Sequence, residues 1–239
     1  VIKKGKKTRK IDAPKVGIKV IQKWFGHHLS KSITIAEYVF GFIPNRSAVD
    51  AAACHCNSRW VYSVDIKDFF PTTSEEVVRA ALSEIGYSDK ACDLIVPICC
   101  YQGVLPQGSP SSPVISNLVM KKIDMDLAEI ANNNNVVYTR YADDIVFSGM
   151  DDFPENIKNE VSASFNDSCW SLNPDKEFFA DITKGQRLKV HGLLVMGDKP
   201  ILTKGYRNKI RAYKHMLENG KIKESDLPRI TGHIKYSDS

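Results

Sequence analysis

The sequence lacks the features that would place the chain in a membrane or outside the cell. It has neither a secretory signal nor an apolar run long enough to span a bilayer. Its six cysteines include no Cys-x-x-Cys pair, which argues against a disulfide framework. Cys54, His55 and Cys56 could bind zinc, but no second ligand pair follows at a familiar spacing. We therefore expect a protein of the reducing cytoplasm that makes no membrane contact.

Acidic residues are also absent from the first ten positions, which contain six lysines and arginines. The whole chain is only mildly basic, with 33 Lys and Arg against 28 Asp and Glu. Residues 3–11 alternate around Gly5, which predicts a basic hairpin. Such a run is either a solvated surface or a site for phosphate groups, and composition leaves both open.

The most informative stretch is an Asp-Asp pair between two β-prone segments. The apolar residues 136–138 and 145–147 flank Asp143 and Asp144. This pattern predicts a β-hairpin with the acidic pair at or beside its turn. Adjacent carboxylates repel each other unless a cation offsets their charge, and Mg²⁺ prefers carboxylate oxygens. The pair is therefore either a solvated turn or half of a metal site for phosphoryl transfer.

A third carboxylate follows another predicted strand, residues 61–64. Asp65 stands at the carboxyl end of that strand, where it can face the hairpin tip across a sheet. Three such carboxylates can hold two metal ions about 3.5–4 Å apart for in-line displacement on a phosphate. Between the acidic segments, residues 105–113 form a loop rich in Gly, Pro and Ser that can bring backbone groups close to a ligand.

These three blocks, in this order, resemble the motifs of reverse transcriptases. They read Asp65-Ile-Lys-Asp-Phe-Phe-Pro71, Leu105-Pro-Gln-Gly-Ser-Pro-Ser-Ser-Pro113 and Tyr138-Thr-Arg-Tyr-Ala-Asp-Asp144, and they are most similar to bacterial enzymes of the retron type. The resemblance implies an α+β right-hand polymerase fold, with fingers and palm in residues 1–199 and the start of a thumb in residues 200–239. It leaves open whether the chain is truncated at both ends.

The resemblance also implies roles for individual residues. Asp65, Asp143 and Asp144 match the catalytic aspartates that bind two Mg²⁺ ions, with Mn²⁺ as an alternative, and the main-chain carbonyl of Ile66 completes the coordination. The implied nucleotide-binding residues are Lys3 or Lys4 with Arg9 at the triphosphate, Phe70 as a steric gate against a ribose 2′-OH, Gln107 and Gly108 in the loop, and Lys176 as a proton donor to pyrophosphate.

Two of these roles have simpler alternatives. Lys176 can equally be an exposed lysine in a turn. Phe69 and Phe70 are predicted to continue a strand, and adjacent strand residues point to opposite faces, so one of the two is expected in the core.

Two further blocks resemble those of retron enzymes but depart from the usual wording. His55 stands ten residues before the first catalytic aspartate, but Ala51 replaces an asparagine, and His191 replaces a threonine before Gly192. The resemblance implies RNA or primer contacts at His55, Tyr141, His191 and Gly192. The departures either tune recognition of the RNA or are neutral changes on a packed scaffold.

Hydrophobic periodicity predicts the remaining elements. In the first predicted helix, Val16, Val20, Trp24 and Leu29 share the face expected to be buried. The predicted helices cover residues 16–30, 48–57, 75–85, 90–100, 114–130, 154–170 and 203–219, and a strand covers 187–196.

The function implied by the resemblance is RNA-directed DNA synthesis from dNTPs. The template is a structured noncoding RNA, the primer is an internal guanosine 2′-OH, and the product is a branched RNA–DNA hybrid. A partner effector acts with such an enzyme in phage defence. Two alternatives remain: an enzyme of the group II intron or diversity-generating type primed by a 3′-OH, and a scaffold that binds nucleic acid or an effector without polymerising.

Overall fold

The computed structural model describes residues 2–4, 7–9 and 11–238, with side chains from 11 to 237. The strands are β1 (Ile2–Lys4), β2 (Lys7–Arg9), β3 (Trp60–Asp65), β4 (Val137–Tyr141), β5 (Asp144–Gly149), β6 (Phe178–Asp181), β7 (Lys189–Val190), β8 (Leu193–Leu194) and β9 (Ile201–Leu202). The α-helices are α1 (Val16–Ser32), α2 (Ala48–Ala53), α3 (Phe69–Thr72), α4 (Glu75–Glu84), α5 (Asp89–Cys99), α6 (Ser112–Val119), α7 (Lys121–Asn133), α8 (Ile157–Ala163), α9 (Lys204–Glu218) and α10 (Leu227–Asp238). Short 3₁₀ turns cover Pro174–Lys176, Ile182–Lys184 and Glu224–Asp226.

A four-stranded antiparallel sheet in the order β4-β5-β3-β6 forms the centre of the molecule. Because successive side chains of a strand point to opposite faces, β3 contributes to two cores. Trp60, Tyr62 and Val64 enter the main core, which α1 and α4 to α8 cover. Val61 enters a smaller core, covered by α2 and by the three-stranded sheet β7-β8-β9. Layers on both faces thus fix the central sheet and leave its hairpin end to form a site.

The predicted basic hairpin is confirmed, since β1 and β2 pair in antiparallel register. The predicted face of α1 is correct for only one of its four residues. Leu29 is buried, whereas Val16, Val20 and Trp24 are exposed, and the buried face also includes Gly26. A Cβ atom on Gly26 would lie 3.3 Å from the Cα atom of Ser111. The absence of a side chain at Gly26 allows α1 to pack closely against the start of α6, and this contact determines which face of α1 is buried.

Four predicted elements differ in extent. The helix expected over 48–57 ends at Ala53. The helix expected over 114–130 is divided into α6 and α7 at Met120, and only α8 is α-helical within 154–170. The strand expected over 187–196 is interrupted by a turn, because His191 and Gly192 have φ values of 49° and 83°. The left-handed backbone at both positions reverses the chain between β7 and β8.

The boundary predicted at residue 200 falls inside a sheet, because β9 pairs with β8. The helices α9 and α10 that follow pack on each other, with the Tyr206 hydroxyl 2.8 Å from Nδ1 of His233. None of the helices within residues 11–238 is long and apolar enough to cross a membrane.

Candidate active site

Two of the three predicted catalytic carboxylates lie opposite each other at the end of the central sheet. Asp65 is the last residue of β3 and Asp144 the first of β5, and they are paired in antiparallel register. Asp143 stands in the β4–β5 turn after Ala142, whose φ of 57° is left-handed. The backbone N–H of Ile66 donates to the carbonyl of Asp143 at 3.0 Å. The structure therefore brings the three aspartates to one end of the sheet.

The two paired carboxylates have different electrostatic environments. The side chain of Asp65 is 6% exposed and that of Asp144 is 50% exposed. Burial raises the pKa of Asp65 to about 6, and the charges of Asp143 and Asp144 add to this effect while Lys176 opposes it. Burial would also raise the pKa of Asp144, but the neighbouring His191 and the charge of Lys176 outweigh it and hold this pKa below its usual range. The result is a concentration of negative charge that favours a cation.

Lys176 contacts this site directly instead of standing free in a turn. Its Nζ atom lies 2.5 Å from Oδ2 of Asp65. The backbone N–H of Asn173 donates to the carbonyl of Asp65 at 2.8 Å, which ties the segment to the end of β3. The 3₁₀ turn Pro174–Lys176 then directs the ammonium group to the carboxylate.

The donor groups at this end of the sheet have the chemistry that Mg²⁺ prefers. Three carboxylates and the carbonyl of Ile66 offer hard oxygen ligands. Across the part of the chain that the structure describes, however, no three acidic, histidine or cysteine side chains are arranged to hold a metal ion. Lys176 occupies Oδ2 of Asp65, so a metal ion would either bind the other oxygen of this carboxylate or displace the ammonium group. The residues fit Mg²⁺ by donor type.

A buried ion pair supports the β4–β5 turn from beneath, and the sequence reasoning missed it. This turn, residues 142–143, is called the catalytic turn because Asp143 is predicted to be catalytic. Arg140 is fully buried and binds Asp124 of α7 through two parallel contacts of 2.6 Å. The hydroxyl of Tyr138 donates to the same carboxylate at 2.8 Å. A further guanidinium nitrogen of Arg140 donates to the carbonyl of Ala142 at 3.0 Å. The ion pair therefore fixes the backbone of the turn that carries Asp143.

Gly41 covers the same turn from the other side. The preceding residues run beside β4, where the N–H of Arg140 donates to the carbonyl of Tyr38 at 2.8 Å. A Cβ atom on Gly41 would collide with the backbone nitrogen of Ala142. Only glycine permits this approach, so the turn lies between Gly41 and Arg140.

The predicted nucleotide-binding residues occupy neighbouring segments. Phe70 is partly exposed at the start of α3, whereas Phe69 is 3% exposed in the core. The reason predicted for this division is wrong, because the two residues begin a helix and do not continue a strand. A hydrogen bond joins the loop that contains Gln107 to the end of α3. In it the N–H of Leu105 donates to the carbonyl of Thr73 at 2.9 Å.

The same loop contacts the segment that follows the basic hairpin. The N–H of Asp12 donates to the carbonyl of Gln107 at 2.8 Å. Gly108 has a φ of 122°, and a Cβ atom there would lie 2.8 Å from the carbonyl oxygen of Asp12. The hairpin is thereby attached to the loop. The side chains of Lys3, Lys4 and Arg9 lie outside the described residues, so their nucleotide contacts stay a prediction.

Three of the four predicted RNA- or primer-binding residues gather beside Asp144. The rings of Tyr141 and His191 are 5.2 Å apart, and Nδ1 of His191 lies 3.6 Å from Oδ2 of Asp144. With Gly192 these residues line a cavity of about 500 Å³. The cavity opens next to the carboxylates, where a nucleic acid strand could enter.

His55 is the exception, and the direct RNA contact predicted for it is wrong. The residue is 0% exposed, and its ring bridges Thr139 Oγ1 at 2.7 Å and Ser148 Oγ at 2.8 Å. Burial lowers its pKa to about 3. Ala51 is likewise fully buried. Both side chains are therefore buried beneath the surface and are not exposed to a nucleic acid.

Comparison with known proteins places this arrangement among polymerases. The family model described as reverse transcriptase (RNA-dependent DNA polymerase) matches residues 1–195. The chain is 29% identical to the retron Ec86 reverse transcriptase of Escherichia coli, over 99% of this chain and 73% of that protein. It is also 29% identical to the retron Ec73 reverse transcriptase of Escherichia coli, over 99% of this chain and 80% of that protein.

A solved structure shows a similar fold at low sequence identity. Telomerase from Candida albicans, in complex with a TWJ fragment of telomeric RNA, superposes with a TM-score of 0.56 at 11% identity. The match covers 83% of this chain and 42% of the telomerase chain. This likeness confirms the α+β right-hand polymerase fold predicted from the sequence.

Proposed function

The chain belongs to the reverse transcriptase family, as an RNA-directed DNA polymerase of the retron type, and we propose that it primes DNA synthesis from an internal guanosine 2′-OH of a structured noncoding RNA. The product would be a branched RNA–DNA hybrid, made in an anti-phage defence unit with a partner effector. The proposal is supported by similarity to retron enzymes over nearly the whole chain. The observation that most supports the proposed chemistry is the pairing of Asp65 with Asp144 on neighbouring strands at the end of the sheet.

In the proposed reaction Asp65, Asp143, Asp144 and the carbonyl of Ile66 hold two Mg²⁺ ions, for which Mn²⁺ can substitute. Bound there, such ions would supply the positive charge that lowers the pKa of an attacking hydroxyl and stabilises the leaving pyrophosphate. Lys176 has a second role in this proposal. Once its ammonium group leaves Asp65, the group is free to donate a proton to the pyrophosphate.

The incoming dNTP is held by residues on three segments. Arg9, with Lys3 or Lys4, binds the triphosphate, because a planar guanidinium suits phosphate oxygens. Gln107 and Gly108 contact the nucleotide through the loop after α5. The partly exposed ring of Phe70 excludes a ribose 2′-OH.

The RNA and the primer strand enter beside Asp144. Tyr141 offers an aromatic face, and bases of single-stranded RNA stack on such faces. His191 and Gly192 form a turn that lines the same cavity. Gly192 carries no side chain and no other group of the described residues lies within 4 Å of its Cβ position, so a nucleic acid backbone can approach the turn there.

The test separates the two kinds of primer on one protein preparation. One reaction contains a DNA oligonucleotide annealed to a generic RNA, and the other contains the structured RNA encoded beside the gene, without an added primer. We expect DNA covalently attached to the structured RNA, and we expect this product to vanish when a 2′-deoxyguanosine replaces the priming guanosine. Extension of the annealed primer alone would instead identify an enzyme that uses a 3′-OH.

A further inference from the structure

Phe42 has a backbone conformation that a bulky residue rarely adopts. Its φ is 63°, and its side chain is 43% exposed. In the left-handed region the Cβ atom crowds the backbone carbonyl, which costs free energy for residues other than glycine. An exposed ring gains little burial to offset that cost. We therefore expect that a phenylalanine is kept at this strained position for a reason other than the stability of the fold.

The backbone on both sides of Phe42 is fixed by contacts that do not involve its ring. Before it, Nδ2 of Asn117 donates to the carbonyl of Gly41 at 2.9 Å, and Gly41 lies against the catalytic turn. After it, Nη1 of Arg46 donates to the carbonyl of Ala36 at 2.6 Å and closes the loop. The position of Phe42 relative to the catalytic turn is therefore determined by its neighbours.

The ring of Phe42 lies against Phe70, the residue proposed to exclude ribose. The ring centroids are 6.1 Å apart and the planes cross at 62°, an edge-to-face arrangement within the attractive range. Phe70 also contacts Phe69, with centroids 5.6 Å apart. Phe70 is thus held between one ring in the core and one ring at the surface.

From this geometry we infer that Phe42 is a positioning residue for nucleotide selection. Phe69 restricts the ring of Phe70 from the side of the core, and Phe42 restricts it from the side of the solvent. A ring kept in one rotamer meets the 2′ position of every incoming sugar, whereas a mobile ring yields to a ribose. The inference rests on the proposed role of Phe70 and adds that a second, strained aromatic residue holds the gate in place.

The test is a double-variant cycle on discrimination between dNTP and rNTP, measured as a ratio of kcat/KM on an annealed primer and RNA template. Phe42→Ala should lower discrimination by about two- to tenfold, the range that corresponds to one lost aromatic contact. The double variant with Phe70→Ala should lose no more than Phe70→Ala alone, because Phe42 acts through Phe70. Phe42→Tyr keeps a ring and should keep discrimination.

A matched control alters the same loop without touching the ring. Asn45 also has a left-handed φ, of 62°. Asn45→Gly should leave discrimination at the wild-type level. If it lowers discrimination as much as Phe42→Ala does, the loop acts as a whole and the inference about the Phe42 ring is overturned.

The outcomes distinguish failure of the inference from failure of the proposed gate. If Phe70→Ala leaves discrimination unchanged, the steric gate is wrong and the inference falls with it. If Phe70→Ala lowers discrimination but Phe42→Ala does not, the gate stands and the inference alone is overturned. The same conclusion follows if the effects of the two substitutions multiply in the double variant.

A stability measurement separates the ring from the strained backbone. Phe42→Gly and Phe42→Ala both remove the ring, but only glycine relieves the left-handed strain. We expect Phe42→Gly to melt at a higher temperature than Phe42→Ala and to show the same lowered discrimination. Recovery of discrimination in Phe42→Gly would show that the ring is not responsible and would overturn the inference.

Discussion

Lowering the pH from 7 to 5 should destabilise the folded protein through His55. This side chain is fully buried, and its two ring nitrogens are both engaged, by Ser148 and Thr139. Burial, together with the nearby charge of His191, lowers its pKa from 6.5 to about 3. The folded state therefore keeps the imidazole neutral at pH 5, whereas the unfolded chain binds a proton.

The size of the effect follows from the two pKa values. A group whose pKa is lower in the folded state contributes its full stability above the unfolded pKa and loses it as the pH falls. For His55 the loss begins near pH 6.5 and continues towards pH 3. At pH 5 it amounts to about 2 kcal/mol, which corresponds to a melting temperature lower by about 4–8 °C for a chain of this size.

The assay compares melting curves of wild type and His55→Gln at pH 7 and pH 5. Other titrating groups, including Asp65, are present in both proteins, so their contributions cancel in the difference. Wild type should lose about 4–8 °C more than His55→Gln over this interval. His27→Gln, which removes an exposed histidine from α1, is the matched control and should behave as wild type. Parallel pH profiles for wild type and His55→Gln would refute the assignment of a buried neutral imidazole.

Four further substitutions test the environment of the aspartates. Arg140→Met should cost about 3–5 kcal/mol in denaturant unfolding, because it leaves the carboxylate of Asp124 buried without its cation. The double variant with Asp124→Leu should regain most of that stability but not primer extension, since the carbonyl of Ala142 still lacks its donor. Gly41→Ala should lower both the melting temperature and activity, because its Cβ atom would collide with the backbone of Ala142. Lys176→Ala should lower kcat by about 10²-fold with little change in KM for dNTP, as expected for loss of a general acid. Equal kcat in wild type and Lys176→Ala would contradict that role.

Strand β3 and the β4–β5 hairpin could be predicted because their patterns are local, whereas β6 of the same sheet was not predicted. Apolar runs flank Asp65, Asp143 and Asp144, and a β-hairpin needs only such runs and a turn. The turn at His191 and Gly192 was missed, because a valine on one side and leucines on the other resemble one continuous strand. The sequence feature that indicated this turn was Gly192, because glycine readily adopts a left-handed backbone.

The support of the catalytic turn could not be predicted in the same way, because it depends on packing between distant segments. Arg140 and Asp124 meet only when α7 packs on β4. A partial signal existed, since Asp124 shares the apolar face of α7 with Leu127 and Ala131 and therefore required a buried partner. The approach of Gly41 to Ala142 had no comparable local signal. The packing face of α1 was mispredicted for a similar reason, because close contact at Gly26 outweighed the larger apolar side chains.

Primer extension on an RNA template by wild type, Asp143→Asn and Asp144→Asn tests the central claim most directly. The reaction contains an annealed DNA primer, dNTPs and Mg²⁺, and each protein is also compared by melting temperature and by binding to the same RNA. Wild type should extend the primer, whereas both variants should bind the RNA and melt as wild type does without synthesising DNA. Extension by either variant at the wild-type rate would contradict the assignment of these carboxylates to catalysis.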